Sequence, residues 1–185
     1  MALERFKARE EIPQAEIDKM KYIPVGKGLA AKFLREANYD LTSEINKYPT
    51  EFKEYLIEGA QETLLNNISL PAEEGTIKTN KKSMQGLLEI KKDTQAINDL
   101  YIQIEHLFQY YTQTLAQTYR QFKDSFAAKI NETVKMMEQR TGTKVKVNPE
   151  KQPGFREEWM KYLGRLNNQY EVALAEHKEK LRRII

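Results

Sequence analysis

The feature that most constrains the fold is the run from Met84 to Arg140, which contains no proline and a single glycine, Gly86. Apolar side chains recur along it every three or four residues, a spacing typical of an amphipathic α-helix. At about 1.5 Å per residue, one helix over this run is a rod about 85 Å long. A compact domain of 185 residues cannot contain such a rod. It must therefore protrude, fold back or contact a partner.

A second helical run, at about 155–185, follows a break rich in proline and glycine between Gly142 and Gly154. Its apolar residues recur close to a heptad, and a short connection places neighbouring helices antiparallel. We therefore predict a coiled-coil-like hairpin over 84–185, made of one very long helix at about 84–140 and the C-terminal helix. Its predicted core consists of Tyr111, Leu115, Phe122, Phe126, Ile130, Trp159, Leu166, Tyr170 and Leu181.

The rest of the chain divides at its prolines and glycines. Residues 1–26 are charged and carry two prolines, which favours a mobile N-terminal arm. Val25–Gly28 is predicted as a turn, and residues 27–70 as a small N-terminal helical head. Residues 71–83 are predicted as a linker loop. The predicted class is all-α: an elongated helical bundle with a small head and a long hairpin.

The hairpin geometry raises a question about the first half of the long helix. A turn centred near Val147 pairs residues whose numbers add up to about 294, so Ile185 reaches only Gln109. The apolar residues before Phe108 then have no partner, and leaving them in water would forfeit roughly 10 kcal/mol or more. Either the head or a second chain covers them. The predicted interaction surface is formed by Ile97, Leu100, Tyr101, Ile104 and Phe108.

Two short segments alternate as strands do, Thr76–Thr79 and Thr143–Val147. They lie at opposite ends of the predicted rod, so they cannot pair within one straight chain. In an antiparallel dimer they pair between chains. This pairing bears on the same choice between the head and a second chain.

No catalytic, cofactor or metal site is predicted. The chain has no cysteine, which excludes disulfides, cysteine–zinc sites and thiol catalysis. His106 and His177 are expected roughly 16 Å apart along the rod, as surface and boundary side chains. The Val25–Gly28 segment lacks the spacing and the Lys-Ser/Thr ending of a phosphate-binding loop. Adjacent glutamates lie in loops or first helical turns, where they suit the helix dipole.

Composition argues against two classes of partner. No stretch of about 18 apolar residues exists, so no membrane span is predicted, and the charged N-terminus lacks the apolar core of a signal peptide. A cytoplasmic protein is expected. The net charge is +3, acidic residues interrupt each basic cluster, and the aromatic residues lie on the apolar stripe, which argues against nucleic acid.

The sequence therefore predicts a non-catalytic helical interaction or assembly protein that self-associates, as a homodimer, through its long helix. A further protein partner is compatible with this prediction, and no small molecule is indicated. Two alternatives remain open. One is a basic helical module that binds nucleic acid or an acidic protein. The other is a helical-bundle ligand binder, because several of the ten tyrosines fall on the facing surfaces.

Overall fold

The computed structural model describes residues 12–142, 144 and 147–184. All regular structure in this part of the chain is helical, which confirms the all-α class with a long helix and a C-terminal helix. One short 3-10 helix spans Pro149–Lys151. The α-helices are α1 (Gln14–Arg35), α2 (Leu41–Asn46), α3 (Thr50–Asn66), α4 (Glu74–Ile90), α5 (Thr94–Thr141) and α6 (Phe155–Arg183).

The helices belong to two compact units. The head unit comprises the described residues up to Ser69 together with 74–98 and 181–184. It therefore contains α1 to α4, the first turn of α5 and the last residues of α6. The hairpin unit comprises 70–73 and the described residues between Asp99 and Lys180. This division differs from the predicted domains, because the hairpin helices contribute residues to both units.

In the head unit, two glycines bring α1 and α3 into backbone contact. A Cβ atom on Gly26 would lie 2.0 Å from the carbonyl oxygen of Leu56, and one on Gly59 would lie 2.1 Å from that of Ile23. Neither contact leaves room for any side chain. The core around this crossing is aliphatic, and its fully buried members include Ala30, Leu41, Leu56, Ala60, Leu64 and Leu87.

The predicted mobile arm is corrected for the residues that the structure describes. Residues 14–26 form the first half of α1, and the predicted turn at Val25–Gly28 lies within this helix. Pro24 is accommodated inside the helix. It removes one backbone bond, to the carbonyl of Met20, and both residues are exposed, so water can satisfy that carbonyl. Residues 1–11 of the predicted arm lie outside the described residues.

The predicted linker loop at 71–83 is also corrected, because α4 begins at Glu74. Thr76–Thr79, predicted as a strand, lies within its first two turns. The buried amide of Asn80 accepts a hydrogen bond from the Ser69 backbone N–H (2.9 Å) and donates one to the Ser69 carbonyl (2.7 Å). This clamp fixes the start of α4 against the end of the preceding segment. The other predicted strand, Thr143–Val147, lies largely outside the described residues.

The predicted helix at 84–140 is two helices, because the helical structure is interrupted between Ile90 and Thr94. The side chain of Asp93 accepts a hydrogen bond from the Ala96 N–H at 3.0 Å and so caps the start of α5. The ammonium group of Lys91 donates to the carbonyls of Arg182 and Ile184. The Lys91 ammonium group thus lies at the C-terminal end of α6, where it satisfies carbonyls that have no partner within the helix. Burial lowers the pKa of Lys91.

In the hairpin unit, α5 and α6 run antiparallel, as predicted, but in a different register. Tyr111 contacts Tyr170 (ring centroids 5.3 Å apart), Phe122 contacts Trp159 (5.5 Å), and Phe126 contacts Phe155 (5.1 Å). The numbers in these pairs add up to 281, not 294. Relative to the predicted pairing, α6 is displaced by 13 residues along α5, or about 20 Å.

The displacement follows from the conformation of the connection between the helices. Only 13 residues separate Thr141 from Phe155, yet Phe155 packs beside Phe126, fifteen residues before the end of α5. An extended residue advances about 3.3 Å and a helical residue about 1.5 Å. About seven extended residues therefore span the same length as fifteen helical ones. The predicted register assumed the same advance per residue on both sides of the turn.

Candidate interaction surface

The five residues predicted as an interaction surface are largely covered by the chain itself. Ile97, Leu100 and Ile104 are 0%, 9% and 1% exposed, while Tyr101 and Phe108 are half-buried. In the observed register, residues 173–180 of α6 lie level with residues 101–108 of α5, which the predicted register left bare. These three aliphatic side chains are core positions of the single chain. A homodimer stays a prediction, and these three buried side chains are not exposed to its contact.

The nine residues predicted as the hairpin core are all buried or half-buried. One part is an aromatic cluster of Phe122, Phe126 and Phe155, against which Tyr119, Ile130 and Trp159 pack. The remaining predicted members lie as follows: Tyr111, Leu166 and Leu181 are buried, and Leu115 and Tyr170 are half-buried. Their spacing identifies the face of each helix, although the predicted pairing across the hairpin is wrong.

The hydroxyls of the facing tyrosines make hydrogen bonds within the hairpin. Tyr111 donates to the side chain of Asn167 at 2.9 Å, and the hydroxyls of Thr114 and Tyr170 are 2.9 Å apart. Burial raises the pKa of the Tyr111 hydroxyl. The hydroxyls of Tyr111 and Tyr170 are therefore already hydrogen-bonded within the chain, whereas a ligand in a tyrosine-lined core would bind to such hydroxyls. They support the interpretation of the tyrosines as interhelical contacts.

A further tyrosine contact holds the connection against α5. Glu150 accepts hydrogen bonds from the hydroxyl of Tyr119 (2.9 Å) and the ammonium group of Lys123 (2.5 Å). Hydrogen bonds from Lys123 and Tyr119 lower the pKa of Glu150. The same contact raises the pKa of Lys123. The site is exposed, so this ion pair positions the connection more than it stabilises the fold.

The middle of the hairpin is nearly free of charge. Residues 106–119 of α5 contain no Asp, Glu, Lys or Arg, and residues 162–175 of α6 contain only Arg165 and Glu171. At the average of the whole chain, 31% charged residues, each fourteen-residue segment would hold about four. The Tyr111–Asn167 and Thr114–Tyr170 contacts place the two segments side by side. We call this pair of segments the neutral belt.

The outward side chains of the neutral belt are amides, hydroxyls and small apolar groups. Tyr110 and Val172 are 64% and 63% exposed. The other exposed members are His106, Gln109, Thr112, Gln113, Ala116, Gln117, Tyr162, Gly164, Asn168, Gln169 and Ala175, with Arg165 and Glu171. Exposed helix faces normally carry charged residues, so this composition sets the belt apart from the rest of the chain. The absence of charge over 106–119 is visible in the sequence. The predicted interaction surface did not include this run because it rested on the spacing of apolar residues alone.

The titratable groups do not assemble into a catalytic or metal site. Among the described residues, no three His, Cys, Asp or Glu side chains lie close enough together to hold a metal ion. His106 is exposed and His177 half-buried, as expected from the sequence. Burial, and secondarily the charge of Lys180, lowers the pKa of His177. Its Nδ1 atom is buried without a hydrogen-bond partner in the described structure.

One open groove of about 390 Å³ lies beside the far end of α5. Its walls are mainly apolar, and Lys129 is its charged side chain; the others are Phe126, Ile130, Thr133, Val134, Met137, Val147 and Gln152. The groove exists because α6 begins opposite Phe126 and leaves the last turns of α5 without a helical neighbour in the hairpin. Separately, none of the described helices combines the length and the apolar character needed to cross a membrane.

Comparison with known families gives one match. A family of unknown function, DUF6657, matches residues 42–183, which is most of the chain. The chain belongs to this family. The matched range runs from the second residue of α2 to the end of α6 and therefore includes the whole neutral belt. No curated protein and no solved structure gives a match, so the DUF6657 assignment carries no reaction, ligand or partner with it.

Proposed function

We propose that the protein is a non-catalytic helical interaction protein that self-associates as a homodimer through the neutral belt, and that it works in the cytoplasm. The observation that carries the proposal is the loss of charge over 106–119 and 162–175. The central parts of protein–protein interfaces are depleted of Lys, Glu and Asp and enriched in tyrosine. The belt combines both properties on an exposed surface.

A second copy of the chain is the partner that this chemistry favours. Side-chain amides and hydroxyls both donate and accept hydrogen bonds, so a surface made of them is complementary to itself. A twofold dimer brings the same patch of both copies together. A neutral polar patch can meet its own copy without repulsion, whereas a patch that carries a single sign of charge would repel its copy. Gln109, Thr112, Gln113 and Gln117 form a surface of this kind on α5.

The proposal is tested by placing one charge in the belt. We expect the wild-type protein to sediment as a dimer at micromolar concentration. Ala116 is exposed on α5, and Ala116→Glu should weaken the dimer at least about tenfold, because a buried unpaired charge is costly in an interface. Glutamate is a good helix former, so the helix itself should remain intact.

The chain offers a matched control for this substitution. Ala128 is also exposed on α5, twelve residues further along and outside the belt, so Ala128→Glu should leave the dimer affinity unchanged. Analytical ultracentrifugation over a dilution series measures all three proteins. A wild-type protein that is monomeric at micromolar concentration would refute self-association. An Ala116→Glu variant that dimerises as well as the wild type would remove the belt as the contact.

A further inference from the structure

The neutral belt is bounded by opposite charges at its two ends. On α5 the charge-free run lies between Glu105 and Arg120, and on α6 the corresponding run, in which Arg165 and Glu171 are the charged residues, lies between Lys161 and Glu176. All four side chains are exposed. In the observed register, Glu105 lies level with Glu176, and Arg120 lies level with Lys161. The belt therefore has one acidic edge and one basic edge.

Several exposed residues between the edges share one side of α5. Glu105, Gln109, Thr112, Ala116 and Arg120 follow one another in steps of three or four, which places them on one helix face, and all of them are exposed. Ala116 is the smallest residue of this face and allows a neighbouring helix to approach closely. Neither Glu105 nor Arg120 forms an ion pair within the described part of the chain.

We propose that two copies of the chain pair antiparallel through this face, with Glu105 of each copy contacting Arg120 of the other. The inference rests on the proposed self-association and adds its orientation and its contact residues. The midpoint of Glu105 and Arg120 falls between Thr112 and Gln113, so the twofold axis passes there. Gln109 of one copy then lies opposite Ala116 of the other.

The edge charges favour this orientation over a parallel one. In an antiparallel pair, the acidic edge of one copy meets the basic edge of the other at both ends of the interface. In a parallel pair, Glu105 would face a second Glu105 and Arg120 a second Arg120, and like charges across an interface repel. Beyond the edges both signs of charge occur, and they favour neither orientation. Glu105 and Arg120 therefore decide between the two orientations.

Charge reversal tests the pairing. Glu105→Arg and Arg120→Glu should each weaken the dimer about tenfold, because each converts two attractive contacts into repulsive ones. The double variant Glu105→Arg/Arg120→Glu exchanges the charges and should restore the wild-type affinity. Glu132→Arg, an exposed reversal on α5 outside the belt, is the control and should have no effect. Sedimentation at low salt measures all of these affinities.

Disulfide trapping tests the orientation by a route that does not depend on charge. The chain has no cysteine, so introduced thiols report only on their own positions. In the antiparallel pair, Gln109→Cys and Ala116→Cys should each fail to crosslink alone. Each introduced cysteine lies about 10 Å along the helix from the same residue of the other chain, which is too far for a disulfide. A mixture of the two variants should crosslink. In a parallel pair, each variant would crosslink to itself.

The outcomes separate this inference from the proposal beneath it. A wild-type dimer whose affinity is unaffected by either single reversal, or is not restored by the double variant, would overturn the antiparallel pairing and leave self-association standing. Self-crosslinking of Gln109→Cys would overturn it in the same way. A monomeric wild-type protein would overturn both.

Discussion

At the scale of single residues, Gly26 and Gly59 show how much one missing side chain can determine. Each lies where the backbones of α1 and α3 touch, and a backbone carbonyl cannot move aside as a flexible side chain can. The sequence shows Gly26 and Gly28 as a pair and suggests a turn. Only the crossing of two helices that are distant in sequence reveals that Gly26 serves close packing.

This difference gives a matched prediction for two neighbouring glycines. Gly26→Ala should lower the free energy of unfolding by about 3 kcal/mol, because the added Cβ would force α1 and α3 apart. Gly28→Ala, in the same helix with nothing within 4 Å of an added Cβ, should raise it by about 0.5–1 kcal/mol. Urea unfolding of both variants measures the two effects. Equal effects would contradict the close approach at Gly26.

At the scale of elements, the break between α4 and α5 was the hardest boundary to predict. It contains neither glycine nor proline, the residues that mark most helix ends. Its signals are Asp93, a good N-cap residue, and two lysines directly after the end of α4, where cations suit the helix dipole. The contact that makes use of the break joins Lys91 to the end of α6. No local pattern announces a contact with residues more than 90 positions away.

The connection between α5 and α6 gives a prediction about pH. The pKa of Glu150 is lower in the folded protein than in the unfolded chain, so its contact stabilises the fold above the unfolded pKa of about 4.3. That contribution is lost as the pH falls through the folded pKa. Glu150→Gln should therefore be less stable than the wild type at pH 7, and the gap should close towards pH 3.

Urea unfolding of both proteins at several pH values checks this expectation. The high-pH side provides an internal comparison through Lys123, whose pKa is raised by the same contact. Its contribution is present below the unfolded pKa of about 10.4 and is lost as the pH rises through the folded value. A gap between wild type and Glu150→Gln that stays constant from pH 7 to pH 3 would show that the contact does not form in solution.

At the scale of the whole molecule, the faces of the long helices were predictable and their register was not. A displacement of 13 residues is close to two heptads, so apolar residues of α6 meet apolar residues of α5 in either register. Directional contacts discriminate between the two, since Tyr111 finds Asn167 and Thr114 finds Tyr170 only in the observed one. The register also settles which part of α5 the chain itself covers. Ile97 and Ile104 are buried in the single chain, whereas the outward side chains of the neutral belt are exposed.

Distances between spin labels distinguish the two registers in solution. Asp124, Glu157 and Gln169 are exposed and lie within the hairpin unit outside the α5 face on which the two copies are proposed to pair; Gln169 belongs to the α6 part of the neutral belt. In the observed register, Asp124 lies level with Glu157; in the predicted register it lies level with Tyr170, the neighbour of Gln169. Glu157 and Gln169 are twelve residues, or about 18 Å, apart along the helix. The Asp124→Cys/Glu157→Cys pair should therefore give the shorter distance, and Asp124→Cys/Gln169→Cys the longer one.

Dilution of each labelled variant with excess unlabelled protein removes distances between copies, so the measurement reports on one chain. The reverse order of distances would mean that α6 packs two heptads further from the start of α5. Residues 173–180 of α6 would then no longer lie level with residues 101–108 of α5, and this part of the apolar surface predicted from the sequence would again be available to a second copy. The register of one hairpin thus decides which surface of the molecule is offered to a partner.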